Sequence, residues 1–250
     1  MISTVMKKLV YILILSFVAL AAAYSTKAAP AKAKEKITPV TPDLEQIRAD
    51  VSNPSSPYYY PKLFGRYQQN ETVMNLEEYR HLYYGALFQE DFNPYRHSEA
   101  STKNDGLYYK NNHTRAELDS IIYYAEEVLA DDPFNLSQMN YLIYALRARG
   151  KVNRAKIWQY RLNHLLQAII SSGTGADQEH AWYVINPRHE YNIINFQNAV
   201  ARNQQYEEPY FDRIEVEKKG AKNGKVTTDT YYFNIRNMLE EYYRKFPDEQ

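Results

Sequence analysis

Residues 114–133, TRAELDSIIYYAEEVLADDP, form the most regular helical pattern in the chain. Thr114 and Glu117 have the spacing of a reciprocal helix cap, in which each side chain accepts a hydrogen bond from the other residue's main-chain N–H. Apolar side chains then recur at i, i+3, i+4 and i+7, on one helix face: Leu118, Ile121, Ile122, Ala125, Val128 and Leu129. Asp132-Pro133 ends the pattern, because a residue before proline disfavours the helical conformation. The stretch therefore predicts an amphipathic helix.

Helical patterns continue on both sides of this stretch. Downstream, the pattern predicts one helix through Met139 and Leu146 that ends at Gly150, and another from Asn153 to Ile169. The short loops predict that these three helices pack as antiparallel neighbours. Upstream helices are predicted from Asp43 to Val51, from Pro61 to Gln69, and from a cap at Asn75 and Glu78 to Asn93-Pro94. Residues 96–112 are polar and aperiodic and predict a loop.

The pattern after residue 173 is typical of strands. Short β-type runs occur at Trp182–Ile185 and Tyr191–Phe196. Two more, Phe211–Glu217 and Val226–Ile235, flank a turn with Gly220 and Gly224 and predict a hairpin, and 237–246 predicts a terminal helix. The fold class predicted is α+β, with N-terminal antiparallel helices followed by a small antiparallel β-sheet.

The N-terminus has the pattern of a secretory signal peptide over residues 1–23. Lys7 and Lys8 precede an apolar run from Leu9 to Ala23, which ends in three alanines and is shorter than the roughly 20 residues that span a bilayer. Residues 24–42 are rich in Ala, Lys, Thr and Pro and predict a flexible linker. A helical part over 43–172 and a sheet part with a terminal helix over 173–250 complete the predicted organisation. We expect an exported protein that is not membrane-embedded after cleavage.

Composition excludes several classes of function. The chain has no cysteine, so thiol nucleophiles, thiolate metal sites and a lipid-attachment cysteine are excluded. Without Lys7 and Lys8 the chain carries 28 basic and 30 acidic side chains, a formal charge of −2, which does not indicate a nucleic-acid partner. Tyrosine is abundant, with 25 residues. Tyrosine suits thin core layers and rims, and exposed tyrosines also suit contact with a sugar or a partner protein.

Part of the helical region resembles a tetratricopeptide repeat. The segment from Ala125 to Asn135, continuing to Leu142, Ala145, Gly150 and Ala155, has the aspartate-proline stop, the small contact residues and the interhelical glycine of such repeats. About 55 residues fit, which is one hairpin and a preceding helix. The resemblance implies partner binding rather than catalysis, although one unit forms no groove by itself.

A broader resemblance covers residues 43–235. It rests on YPKLFGRY (60–67), LEEYRHLYYG (76–85), Asn93-Pro-Tyr, and the later SGTG (172–175) and AWYVI (181–185) segments. These resemble an uncharacterised family of exported proteins from Bacteroides-type bacteria, the domain of unknown function 4919. The resemblance implies a Gram-negative setting, periplasmic or extracellular, and transfers no functional residues.

The sequence predicts no catalytic residue, cofactor or metal site. The six histidines include no His-Glu-x-x-His motif, and the closest approach to a cluster is Glu179-His180 with His189-Glu190. The glycine loop 171–177 lacks the P-loop lysine and is interpreted as a helix stop. Several acid pairs or single acids would suit a glycoside hydrolase, but most have a capping or solvated position: Glu77-Glu78, Asp91, Asp105, Glu126-Glu127, Asp131-Asp132 and Glu207-Glu208.

The remaining candidates concern binding. Arg147, Arg154 and Arg161 recur every seven residues and predict a basic rim, with an anionic glycan or the acidic face of a partner as the alternative. We predict a partner surface at Tyr83, Tyr84, Arg154 and Arg161. The function predicted is non-enzymatic protein–protein interaction or envelope scaffolding, with another envelope protein or a glycan as the partner. The alternatives are a glycan-binding module of a polysaccharide-uptake system and a glycoside hydrolase-like enzyme. A binding function predicts a tyrosine-lined groove with few acids. A hydrolase predicts two facing carboxylates in a cleft.

Overall fold

Most of the helices lie between residues 44 and 170. The computed structural model describes residues 38–110, 112–219 and 226–249, so the predicted signal peptide 1–23 and residues 24–37 of the predicted linker lie outside the described residues. Within the described part the α-helices are α1 (Leu44–Ser52), α2 (Tyr60–Gln68), α3 (Leu76–Gly85), α4 (Glu99–Tyr108), α5 (Arg115–Asp131), α6 (Leu136–Ala148), α7 (Val152–Ile170), α8 (Arg188–Phe196) and α9 (Arg236–Lys245). Short 3₁₀ turns follow α3 and α9, at Ala86–Phe88 and Pro247–Glu249.

Side-chain caps decide where several helices begin. The side chains of Asn75 before α3 and Thr114 before α5 each accept a hydrogen bond from the main-chain N–H three residues later. The side chains of Glu78 and Glu117 in turn accept from the main-chain N–H of Asn75 and Thr114. Asp43 caps α1 through the N–H of Gln46. These contacts satisfy N–H groups that have no partner inside a helix, so the helix starts predicted from the caps are confirmed.

The strands form a four-stranded mixed sheet in the order β1-β4-β3-β2. The strands are β1 (Trp182–Tyr183), β2 (Ala199–Glu207), β3 (Phe211–Lys219) and β4 (Val226–Asn234). The predicted pairing of β3 with β4 is confirmed, with Ile214 opposite Tyr231, while the turn with Gly220 and Gly224 lies outside the described residues. The prediction of a purely antiparallel sheet is wrong, because β1 joins β4 in parallel. Chain order alone does not reveal this parallel pairing.

Two local predictions differ from the structure, and one strand had no prediction. Tyr191–Phe196, predicted as a strand, belongs to helix α8, which buries His189, Glu190, Ile193 and Ile194 on one helical face. Residues 99–108, predicted as loop, form α4, whose buried residues are the small or polar Ala100, Ser101 and Asn104 and so leave no hydrophobic period. Strand β2 was not indicated by the sequence, because most of its side chains are polar and exposed.

The helical and sheet parts share one hydrophobic core. Residues Thr38–Gln250 form one compact unit, and its core cluster includes Leu142 from α6 and Phe233 from β4, both fully buried. Helix α5 packs on α6, α6 on α7, and α3 on α7, while α8 links the helices to the sheet through contacts with α6 and β2. The helices come first and the strands later, so the predicted α+β class is confirmed.

The end of the predicted linker is attached to this unit. Val40 N–H donates to the Ser171 carbonyl at 2.8 Å, and the Val40 carbonyl accepts from Arg80 Nη2 at 2.9 Å. Pro42 is buried beside them. Residues 38–42, the last part of the predicted linker, are therefore tied to the fold by hydrogen bonds. None of the helices in the described part of the chain is long and apolar enough to cross a membrane.

Candidate functional site

Two of the residues predicted for a partner surface lie in the core. Tyr83 is 0% exposed and Tyr84 1% exposed. The Tyr84 hydroxyl points to the carbonyls of Ala168 and Tyr183, at 3.5 and 3.4 Å. A partner protein cannot reach either ring in this fold, so the prediction is corrected: the tyrosine pair joins α3 to α7 and β1.

One of the two predicted arginines, Arg161, differs from the predicted rim. Arg161 is 8% exposed, and its Nη2 donates to the carbonyls of Tyr67 and Gln68 at 2.7 and 3.1 Å. Its guanidinium lies between the rings of Tyr67 and Trp158, at 4.5 and 4.6 Å from their centroids. Arg161 therefore caps the C-terminal carbonyls of α2 from within the core. Arg154 is exposed and paired with Glu126 on the neighbouring helix.

A cleft between the helices is lined by aromatic and polar residues. Its volume is about 190 Å³. The apolar lining is Tyr60, Phe64, Ala86, Phe92, Pro94, Pro133, Phe134 and Ile185, and the polar lining is Gln89, Asp91, Asn93, Arg96, Asp131, Asp132, Asn186 and His189. Aromatic rings with a few convergent polar groups are the usual composition of a binding pocket.

Two polar side chains hold the wall of this cleft in place. Arg96 Nη1 donates to the Asp131 carbonyl at 2.8 Å and to its carboxylate at 3.0 Å, and Nη2 donates to the Asp91 carbonyl at 2.6 Å. Asn186 Nδ2 donates to the Pro94 carbonyl at 3.0 Å. The segment between α3 and α4 is thus tied to the end of α5 and to the start of α8. The cleft is preformed by these bonds.

His189 forms the inner wall. Its Nε2 lies 3.0 Å from the Phe134 carbonyl, which can only accept, so Nε2 carries the proton. Nδ1 then accepts from the Tyr83 hydroxyl at 2.7 Å, and that hydroxyl accepts from the Ile185 N–H at 3.2 Å. Burial lowers the pKa of His189 to about 4. The imidazole is neutral at neutral pH and both its nitrogens are engaged within the protein.

A pair of buried carboxyl groups comes from α8 and β3. Glu190 is 0% exposed and Asp212 on β3 is 7% exposed. Gln204 Nε2 donates to Glu190 Oε2 at 3.5 Å, and Glu190 Oε1 finds no partner within the described part of the chain. Burial and the neighbouring Asp212 raise the pKa of Glu190 well above its usual range. This pair was not among the acids singled out from the sequence, and its burial keeps a substrate from reaching Glu190.

The other residues weighed for chemistry are separated. His180 is exposed and paired with Asp177, whose contact raises the pKa of His180, while His189 lies in the core. The described residues contain no group of three or more His, Cys, Asp or Glu side chains placed to hold a metal ion.

The main chain of the glycine loop 171–177 is hydrogen-bonded to the residues that follow it, His180 and Trp182. The N–H groups of Thr174 and Gly175 both donate to the His180 carbonyl, at 2.9 and 2.8 Å. Trp182 Nε1 donates to the Gly173 carbonyl at 3.0 Å, and the indole covers Gly175. These main-chain donors are occupied inside the protein.

The sequence contained two signals of the cleft that could not be combined. Asn93-Pro94 and Asp132-Pro133 were both recognised as helix stops, and both stops line the cleft. A proline stop indicates where a helix ends, but nothing in its own neighbourhood indicates that a second stop about 40 residues away meets it in space.

Comparison with known proteins identifies a family and gives no function. The comparisons with curated proteins and with solved structures gave no match. The family model described as Domain of unknown function (DUF4919) matches residues 45–244, which is 200 of the 250 residues and includes the cleft, the glycine loop and all four strands of the described sheet. The chain therefore belongs to the DUF4919 family.

Proposed function

We propose that this protein is an exported, non-enzymatic interaction protein whose cleft receives one apolar side chain of a partner protein. Export is supported by the basic and apolar pattern of residues 1–23. The observation that carries the binding proposal is the cleft itself, with an aromatic floor, a polar rim and a volume of about 190 Å³. That volume is below the roughly 300–1,000 Å³ of pockets for drug-sized ligands. It suits a single anchor side chain, the element on which most binding energy of a protein interface depends.

The rigidity of the cleft favours this function. Arg96 and Asn186 hold the wall before any ligand arrives, so a partner does not lose binding energy in ordering that segment. Asn93 Oδ1 accepts from the Tyr95 N–H, and its Nδ2, without a partner among the described residues, can donate to a ligand beside the aromatic lining. An apolar centre with a polar rim is the ordinary anatomy of a protein interface.

The ionisable groups of the cleft favour binding over catalysis. His189 has both nitrogens engaged and its pKa is lowered, so it is a poor proton acceptor for a substrate. Asp91 and Asp131 are paired with Arg96. Asp132 accepts from Asn135 Nδ2 at 3.0 Å, and its burial raises its pKa. Each group has a structural role that a nucleophile or general base would have to give up.

The test is affinity isolation from an envelope extract with three versions of the protein. Phe92→Ala removes a half-buried ring from the cleft, and Tyr123→Ala removes a ring that is 63% exposed elsewhere on the surface and serves as the matched control. We expect a recurrent partner that the wild type and Tyr123→Ala recover equally and that Phe92→Ala recovers at least about tenfold less, since a hot-spot ring is worth 2 kcal/mol or more. Equal recovery by all three proteins, or recovery of no protein by any, would refute the proposal.

A further inference from the structure

A second, polar groove lies between helices α4, α6 and α8. It has a volume of about 250 Å³. Its lining includes Asp105, Ser137, Gln138 and Arg188, together with the rings of Tyr109 and Tyr141. The groove is distinct from the aromatic cleft, because the two share no lining residue. Phe134 lines the cleft, whereas Asn135, Ser137 and Gln138 line the groove.

Buried side chains behind the groove fix the orientation of its polar groups. Asn104, 0% exposed, donates through Nδ2 to Gln138 Oε1 at 2.6 Å, which leaves the Gln138 Nε2 to donate to Asp105 Oδ1 at 3.3 Å. Asn192 Nδ2 donates to Ser137 Oγ at 3.1 Å. Gln138 is itself buried and orients the Asp105 carboxylate, so a carboxylate and a hydroxyl are presented in set directions, as in a preorganised site.

This arrangement costs stability. The Oδ1 atoms of Asn104 and Asn192 are buried and find no hydrogen-bond partner within the described part of the chain. A buried polar atom without a partner is destabilising, so apolar side chains would hold these helices together better. The two asparagines are explained by what they do to Gln138 and Ser137, not by packing.

The aromatic side of the groove is rigid and exposed. Tyr141 is stacked on Tyr108 with ring centroids 3.9 Å apart, and its hydroxyl donates to that of Tyr109 at 3.3 Å. Tyr109 is 76% exposed at the end of α4. A flat apolar face held beside hydrogen-bonding groups fits a ligand with one C–H face and several hydroxyls.

We propose that this groove binds a neutral sugar residue. Vicinal hydroxyls of the sugar bond to the Asp105 carboxylate and the Ser137 hydroxyl, and its C–H face rests on Tyr109. One carboxylate and one guanidinium, from Asp105 and Arg188, give the lining no net charge, which favours a neutral sugar over an acidic one.

The test is ligand-observed saturation-transfer NMR on the full chain with glucose, galactose, mannose and N-acetylglucosamine at millimolar concentration. We expect at least one of these sugars to bind the wild type. Tyr109→Ala and Asp105→Asn should weaken that binding by about tenfold or more, as the loss of a stacking face or a charged acceptor implies. Tyr123→Ala, another exposed tyrosine, should leave the binding unchanged.

Two results would overturn the proposal: no signal from any of the four sugars, or equal signals from Tyr109→Ala and Tyr123→Ala. Thermal unfolding of each variant confirms that the fold is retained, and Tyr109 is exposed enough for its removal to be tolerated. Phe92→Ala in the aromatic cleft should bind sugar as the wild type does, so that failure of the groove and failure of the cleft are told apart.

Discussion

Acid should destabilise this protein through His189, and the effect has a definite sign. The folded protein keeps the imidazole neutral, with its pKa lowered from 6.5 to about 4 by burial. The unfolded chain binds a proton below about pH 6.5, where the folded protein does not. The unfolded state therefore holds more protons between these two values, and the free energy of unfolding falls as the pH drops through this window.

The magnitude follows from the same two values. The gap between 6.5 and about 4 is worth about 3 kcal/mol, because a tenfold change in proton affinity corresponds to about 1.4 kcal/mol. About 2 kcal/mol of this is lost by about pH 5 and the rest by about pH 4. His189 is 3% exposed, so solvent screening reduces the figure little.

The assay is urea unfolding of the wild type and of His189→Gln at a series of pH values. Glutamine can still donate to the Phe134 carbonyl but cannot gain a proton, so the variant loses only the contribution of the imidazole. We expect the wild type to lose about 3 kcal/mol more than the variant between about pH 7 and about pH 4. The difference cancels the carboxyl groups common to both proteins. A pH dependence that is the same in both would refute the buried neutral imidazole.

An exposed histidine provides a contrast in sign. The pKa of His180 is raised by Asp177, so its contribution is present at low pH and is lost as the pH rises through that pKa. His180→Gln should therefore remove stability below about pH 6.5 and give none of the acid protection expected of His189→Gln, as urea unfolding of the variant at the same pH values measures.

Two further predictions concern buried positions. Glu190→Gln should stabilise the protein at neutral pH relative to the wild type. The pKa of Glu190 is raised in the fold, so the wild type loses stability as the pH rises from about 4.5 toward that pKa, whereas glutamine does not ionise. Chemical denaturation at low and neutral pH measures this, and a less stable variant at neutral pH would contradict it. Gly175→Ala should lower the free energy of unfolding by about 2 kcal/mol or more. Gly175 has φ +71°, and a Cβ there would lie 2.4 Å from the Trp182 ring. Thermal unfolding measures the loss, and an unchanged melting temperature would contradict it.

The abundance of tyrosine has a structural explanation at several positions. The hydroxyls of buried or half-buried tyrosines bond main-chain carbonyls of loops, as Tyr67 does with Pro133 at 3.1 Å and Tyr160 with Thr72 at 2.8 Å. A loop carbonyl brought against the core needs such a donor, and phenylalanine cannot supply it. Tyrosine thus fills the core and anchors the loops at once. Tyr109 is 76% exposed and bonds no main-chain carbonyl through its hydroxyl within the described residues, which makes it a candidate for ligand contact.

The features that the sequence predicted are local ones. The caps at Asn75 and Thr114, the break at Asp132-Pro133 and the β3–β4 hairpin each depend on groups a few residues apart, so the sequence determined them before any tertiary contact was known. The period of the apolar residues in α5 also identified its buried face, where Ile121 and Ala125 are fully buried. The family resemblance belongs to the same class of evidence, since it rests on short segments in order.

What only the tertiary structure decided depends on which segments meet. Helix α4 buries Ser101 and Asn104, whose burial becomes favourable only once Gln138 and Ile121 supply partners, so no apolar period announced it. Tyr83 looks like a surface residue by its hydroxyl, yet that hydroxyl is satisfied by His189 and by the Ile185 N–H about 100 positions away. The cleft and the groove are likewise made by segments distant in the chain. Local preference is encoded over a few residues, whereas satisfaction of a buried polar group depends on the whole fold.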